Sequence, residues 1–287
     1  MQWAAFARST ASASGSKVSW RPLREASLLR REVGRNPGGH RFRCTNALYN
    51  SDMPTLSTNA SSISTPGGLP EIPGGWTRQT IDLGWRTIEL VQPATPDCFL
   101  DEPSVLEANR RDDYMPYWTY LWPASVPMAR VLKTANWAPG TEVLELGSGI
   151  GLVGLAAKAR GWQVTFSDYD ETSLALCRVN AERNSLGAVE TLRLDWRRPA
   201  ERQFPVILGC EVIYEARSHE PLLTLLQAML APGGVCWIGD PGRSQAPRFY
   251  KLALDHGFQI TTRDETGNQC AFPSGTKLQI LELRREP

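Results

Sequence analysis

The chain has 287 residues, 31 Lys plus Arg against 30 Asp plus Glu, 41% hydrophobic and 9% aromatic side chains. Such a composition suits a globular protein with a sizeable core, and the near-neutral balance argues against a dedicated nucleic-acid binder. No run approaches the roughly 18 consecutive apolar residues of a membrane helix.

Six cysteines, at 44, 98, 177, 210, 236 and 270, are scattered without a CxxC pair, which predicts reduced, mostly buried thiols. Charge is unevenly spread. Residues 1–52 hold nine Lys or Arg and only the acids Glu25, Glu32 and Asp52, leaving 22 basic and 27 acidic residues in the remainder. Residues 1–70, rich in Ser, Thr, Gly, Pro and Arg and without period, are expected to be a disordered basic tail. The tail reads either as a mitochondrial transit peptide or as an over-extended start, with Met53 opening a second plausible beginning. The corresponding expectations are a cytoplasmic protein, or a mitochondrial one if the transit peptide is genuine.

From Gln79 to Val91, apolar alternation on either side of Gly84 predicts two short strands. An acidic segment from Asp97 to Asp113 leads into the aromatic run Tyr114 to Trp122, and Ala124 to Lys133 reads as a helix. Residues 71–134 form this lead-in and 135–287 the main domain. There the expected strands are Glu142–Leu146, Gln163–Ser167, Val189–Leu194, Pro205–Cys210, Val235–Gly239, Phe258–Thr262 and Lys277–Leu283. The expected helices are Gly151–Arg160, Glu171–Asn184, His219–Leu230 and Gln245–His256. This alternation predicts an α/β fold, a doubly wound, mostly parallel seven-stranded sheet, with an antiparallel terminal hairpin where no helix intervenes.

The sharpest local feature is ELGSGIGLVG, Glu145 to Gly154, where a strand enters a glycine turn and then a helix. Glycines admit positive φ and let backbone amides approach a ligand, whose negative groups the helix N-terminus favours. Asp168 ends the next strand, placed to accept ribose hydroxyls. Gly149, Gly151 and Gly154 formally satisfy GxGxxG, so a nicotinamide dinucleotide competes as ligand and an oxidoreductase as function. Glu145 opposes a pyrophosphate and suits a cationic ligand instead.

ELGSGIGLVGLAAKARG followed by VTFSDYD resembles motifs I and II of the class I, seven-strand S-adenosylmethionine-dependent methyltransferases. Trp122-Pro, Asp195-Trp196 after the third strand, and Cys210-Glu211-Val-Ile-Tyr214 after the fourth narrow the likeness to the family 16 protein methyltransferases, mostly lysine-directed. Within that family the run Tyr117 to Pro123 and the loop Asp240-Pro-Gly-Arg243 are similar to the electron-transfer-flavoprotein β-subunit lysine methyltransferases and to bacterial relatives labelled nicotinamide N-methylase-like.

The resemblance implies S-adenosyl-L-methionine as cofactor. Glu145 would face its amino-acid end, and Gly147, Ser148, Gly149 and Gly151 would cradle it. Asp168 would hold the ribose, Trp196 would stack on adenine, Asp195 would receive its amine, and Trp122 and Cys210 would border it. Glu211 and Tyr214 would serve catalysis, and Tyr117, Asp240 and Arg243 the substrate. Asp112 and Asp113 offer charge for a basic peptide.

Plainer roles stand beside these: core packing for Trp122 and Trp196, strand capping for Glu211 and Tyr214, and a simple turn for the Asp240–Arg243 loop. The expected substrate is a protein lysine, with a small nitrogen compound as the alternative and a non-catalytic cofactor-binding module as the more distant one. A monomer with neither nucleic-acid nor membrane partner is expected, and no metal-ligand set, serine triad or P-loop is legible.

Overall fold

The computed structural model describes residues 63–112, 114–274 and 278–285. Expectations for residues 1–62 and for Asp113 therefore lie outside the described residues. The described chain is already packed at Ile63, whose N–H donates to the Trp76 carbonyl (2.9 Å), while Leu69 and Ile72 rest on the core. Residues 63–70 thus belong to the folded body, ahead of the boundary set at residue 70.

Strands β1 (Trp76–Asp82) and β2 (Thr87–Pro93) form a separate antiparallel hairpin. Helix α1 (Pro103–Asp112) has no buried residue. It falls in the acidic segment, where no helix is expected because its two large apolar residues, Val105 and Leu106, set no helical period. Helix α2 (Ser125–Val131) continues in a 3-10 turn to Thr134.

The main sheet follows with β3 (Glu142–Leu146), α3 (Leu152–Ala159), β4 (Gln163–Asp168), α4 (Glu171–Arg183), β5 (Glu190–Arg193) and β6 (Phe204–Cys210). It continues with α5 (His219–Met229), β7 (Leu230–Asp240), α6 (Ala246–Asp255), β8 (Gln259–Arg263), β9 (Gln269–Cys270) and β10 (Gln279–Arg284). Strand order is β5-β4-β3-β6-β7-β10-β8-β9. The expected parallel set is present, with two differences. The two-residue β9, too short to give a period, makes the sheet eight-stranded rather than seven-stranded. Strand β10 pairs antiparallel with β8 as expected, and it does so from a place between β7 and β8, antiparallel to both.

Strand residues alternate between two cores. Val143, Val206, Leu208, Val235, Trp237 and Ile280 face the side covered by α2, α3, α4 and the hairpin. Leu144, Leu146, Ile207, Cys236, Ile238, Leu281 and Leu283 face α5 and α6. Burial on both faces explains why these strands read as continuous apolar runs. The five cysteines among the described residues are free thiols. No helix among the described residues is long and apolar enough to cross a membrane.

Two asparagines, Asn180 on α4 and Asn184 capping its C-terminus, dock the hairpin. Asn180, fully buried, accepts from Val91 N–H (2.7 Å) and donates to the carbonyls of Val91 (3.1 Å) and Ile150 (3.0 Å). One turn later Asn184 repeats the exchange with Glu89, at 2.9 and 2.7 Å. The amides thus replace a neighbouring strand for β2, and Asn180 ties it to the turn after β3. Replacing Asn180 by Leu strands three buried backbone groups and should cost about 3 kcal/mol in urea unfolding, against about 1 kcal/mol for Asn184→Leu. Equal losses would contradict the docking role of Asn180.

Candidate functional site

The site begins in the turn between β3 and α3. Gly147, Gly149 and Gly151 take φ of +59°, +52° and +90°, the left-handed region that penalises any Cβ. A Cβ on Gly147 would also lie 3.3 Å from both the Trp196 ring and Val212, so space as well as torsion demands glycine there. Gly154, inside α3, has ordinary torsions, yet its Cβ would fall 2.4 Å from the Phe166 ring and from Glu145 Oε2. That position lets the helix settle onto the sheet. Ser148 N–H donates to Ser167 O (2.9 Å) and Gly149 N–H to Asp168 Oδ2 (2.9 Å), so β4 fixes the turn.

Three carboxylates stand around this turn in different electrostatic settings. Glu145 is 3% exposed; Oε1 accepts from Gly154 N–H (2.8 Å), and Oε2 has no partner. Burial, only partly offset by the Gly154 N–H, pushes its carboxyl up to about 8. Asp168 is raised by the same desolvation, and the N–H groups of Asp170 and Gly149 oppose the shift. Asp195 goes the other way, because the Arg197 guanidinium grips it through Nε and Nη2 at 2.9 Å. Arg197 also reaches Asp112 on α1 (3.4 Å), the acid expected to attract a basic peptide.

The opposite wall is aromatic. Tyr117 meets Tyr214 edge-on at 5.1 Å and Trp122 at 6.0 Å, and Trp122 stacks on Tyr214 at 6.3 Å with 14° between planes. Burial, followed by the nearby Glu215 charge, raises the Tyr214 phenol well above its usual range, so it is a neutral hydroxyl. Glu211 takes φ +54°, a left-handed conformation costing a non-glycine residue roughly 1–2 kcal/mol. Its carboxylate accepts from Ala124 N–H (2.7 Å) and pairs with Arg243.

A single cleft of about 610 Å³ gathers most of the expected residues. On one side lie Glu145, Gly147, Ser148, Gly149, Gly151, Asp168, Asp195 and Trp196. On the other are Tyr117, Trp122, Cys210, Glu211 and Tyr214. Asp240 and Arg243 do not line it. Asp240 is fully buried and caps its own loop, accepting from Gly242 N–H (2.7 Å) and Arg243 N–H (2.8 Å). The expected substrate contact is therefore replaced by a turn cap at Asp240 and an ion pair at Arg243.

Tyr114 was passed over as a site residue: its hydroxyl donates to Asp170 Oδ2 (2.5 Å), closing the rim beside Asp168. Its place at the head of the aromatic run was the available signal. Ser173, reaching back from α4 to the Gly149 carbonyl (2.8 Å), gave none.

Residues 117–252 match the family model Methyltransf_16, described as lysine methyltransferase. This segment, a little under half of the chain, is similar to that family. Three curated relatives show the range of likeness. The histone-arginine methyltransferase METTL23 of Rattus norvegicus is 30% identical over 45% of this chain and 61% of its own. The electron transfer flavoprotein beta subunit lysine methyltransferase of the same organism is 30% identical over 49% and 55%. The EEF1A lysine methyltransferase 3 of Mus musculus is 25% identical over 52% and 68%. The chain thus spans little more than half the length of several curated relatives it matches. Among solved structures, the ribosomal protein L11 methylase of Lactobacillus delbrueckii subsp. bulgaricus superposes with a TM-score of 0.50 at 17% identity, covering 72% of this chain and 99% of that one. It shares the fold.

The donor set fits S-adenosylmethionine. A turn crowded at Gly147 and Gly151, one buried carboxylate oxygen without a partner, a second acid at the next strand end and an indole beside Gly147 are all present. Glu145 also carries a pH signature. Its folded pKa of about 8 lies above the ordinary 4.5, so the unfolded chain releases this proton first. Its contribution is intact below about pH 4.5 and is lost as pH rises towards 8, by up to roughly 1.4 kcal/mol per pH unit. Urea unfolding from pH 5 to 8 should show a steeper fall for the parent protein than for Glu145→Gln. Parallel curves would remove the shifted acid from the account.

Proposed function

We propose that the protein is an S-adenosylmethionine-dependent N-methyltransferase whose acceptor is a protein side chain, a lysine in the first instance. The carrying observation is the meeting, in one cleft, of the left-handed glycine turn, Asp168 and Trp196 with the neutral aromatic wall of Tyr117, Trp122 and Tyr214. When bound, the cofactor supplies an electrophilic methyl carbon on a sulfonium. The chain's own work is alignment, which suits an in-line displacement that needs little covalent help.

In this reading Asp168 holds ribose hydroxyls and Trp196 offers a flat face to adenine. Glu145 balances the ammonium of the amino-acid end, and that charge favours its ionised form. An acceptor amine must shed its proton before attack, since free lysine titrates near 10.4. Tyr214, uncharged, can accept a hydrogen bond from the arriving N–H and orient the lone pair, while solvent takes the proton. The match to a lysine methyltransferase family model supports lysine over other nitrogens.

Titration calorimetry should detect S-adenosylhomocysteine binding to the parent protein, with Asp168→Ala weakening it by roughly two orders of magnitude, about 2.7 kcal/mol. NADH binding in its place would favour an oxidoreductase. Incubation with methyl-labelled cofactor and whole-cell lysate should put label into a protein band, and hydrolysis should return it as methyl-lysine. Label confined to small molecules, or recovered as methyl-arginine, would refute the acceptor assignment.

A further inference from the structure

The chemistry expected of Glu211 and the substrate contact expected of Arg243 both give way to a different geometry. The Glu211 side chain is 1% exposed and each of its oxygens is engaged. Oε1 accepts from Ala124 N–H (2.7 Å), and Oε2 takes Nε (3.2 Å) and Nη2 of Arg243. The same guanidinium lies over the Trp122 indole, 5.4 Å from its centroid. Trp122 in turn stacks on Tyr214.

Both ends of the pair are fixed by backbone. Glu211 N–H donates to Gly239 O (2.8 Å), and Arg243 N–H donates to the buried Asp240 (2.8 Å). The ends of β6 and β7 are thereby connected to the segment 117–124, which precedes β3 in sequence and takes no part in the sheet.

We propose that Glu211 and Arg243 are positioning residues, a latch with a buried acid and a half-buried guanidinium that pins the aromatic wall over the carboxyl ends of β6 and β7. Glu211 fixes the wall through the Ala124 amide, and Arg243 fixes it through the face of Trp122. A general base needs an open lone pair aimed at the reacting nitrogen. A carboxylate 1% exposed and already held by an amide on Oε1 and a guanidinium on Oε2 presents no accessible lone pair to an incoming amine, and unpairing it leaves an uncompensated charge. Cation–π contact adds orientation to the pair, because a guanidinium over an indole restrains the ring plane. The left-handed torsion at Glu211 places its carboxylate between the two partners. The effect on turnover rests on the methyltransferase reading; the latch itself does not.

The test uses the full chain with Glu211→Gln, Arg243→Met and the double variant. Hydrogen exchange over residues 117–125 should lose protection about tenfold in each single variant and no further in the double, the non-additivity of one shared interaction. Protein labelling from S-adenosylmethionine should fall by a similar factor in all three, with S-adenosylhomocysteine affinity unchanged. Arg243→Lys, which keeps the charge but not the planar contact, should restore part of the protection. Unchanged exchange in Arg243→Met would overturn the latch. So would a collapse of labelling in Glu211→Gln with Arg243→Met near the parent rate, the signature of a base. A parent protein that neither binds S-adenosylhomocysteine nor labels protein would refute the functional reading, while the exchange data would still decide the latch.

Discussion

The interaction on which the rest depends is the bond from the Gly149 amide to the Asp168 carboxylate across the ends of β3 and β4. It holds a turn whose torsions only glycine adopts cheaply, and it orients the acid that closes the pocket. The same turn is braced from behind by Asn180, which also carries the hairpin, and by the Ser173 hydroxyl. Binding geometry and hairpin docking therefore share one set of buried polar contacts. Such fully satisfied networks rigidify a site, and a partial loss leaves groups unpaired at higher cost than the original bonds were worth.

The two walls of the cleft follow different logic. The glycine side is built of backbone and acids positioned by parallel strands, as expected at the carboxyl ends of an open sheet. The aromatic side combines Tyr214, just after β6, with Tyr117 and Trp122 from a segment that precedes β3 in sequence and is joined to the ends of β6 and β7 through Glu211, Ala124 and Arg243. Uncharged indole and phenol rings there add no charge to the cleft, which suits the proposed transfer from a sulfonium to an uncharged amine.

Much of this was readable from residue order. The alternation of apolar strands and amphipathic helices located the parallel strands, though β7 starts at Leu230, five residues ahead of its expected start, and ELGSGIGLVG with Asp168 located the glycine turn. Three things were not readable, each for a physical reason. Helix α1 buries nothing, so it lacks the period that marks helices. Strand β10 is apolar whichever neighbours it takes, so its insertion between β7 and β8 left no trace in pattern. The pairing of Glu211 with Arg243 spans 32 residues, and a Pro-Gly turn gives no hint that the arginine beyond it turns inward.

The placement of β10 has a consequence for biosynthesis. It is the last strand among the described residues, yet it lies between β7 and β8 and bonds to both. A chain emerging from the ribosome can assemble the cofactor half, β5 through β7, while one side of β7 still exposes its row of amides and carbonyls. That row is a template for stray pairing until the final strand arrives. Whatever part of the sheet forms before β10 is made does so with that edge of β7 uncovered.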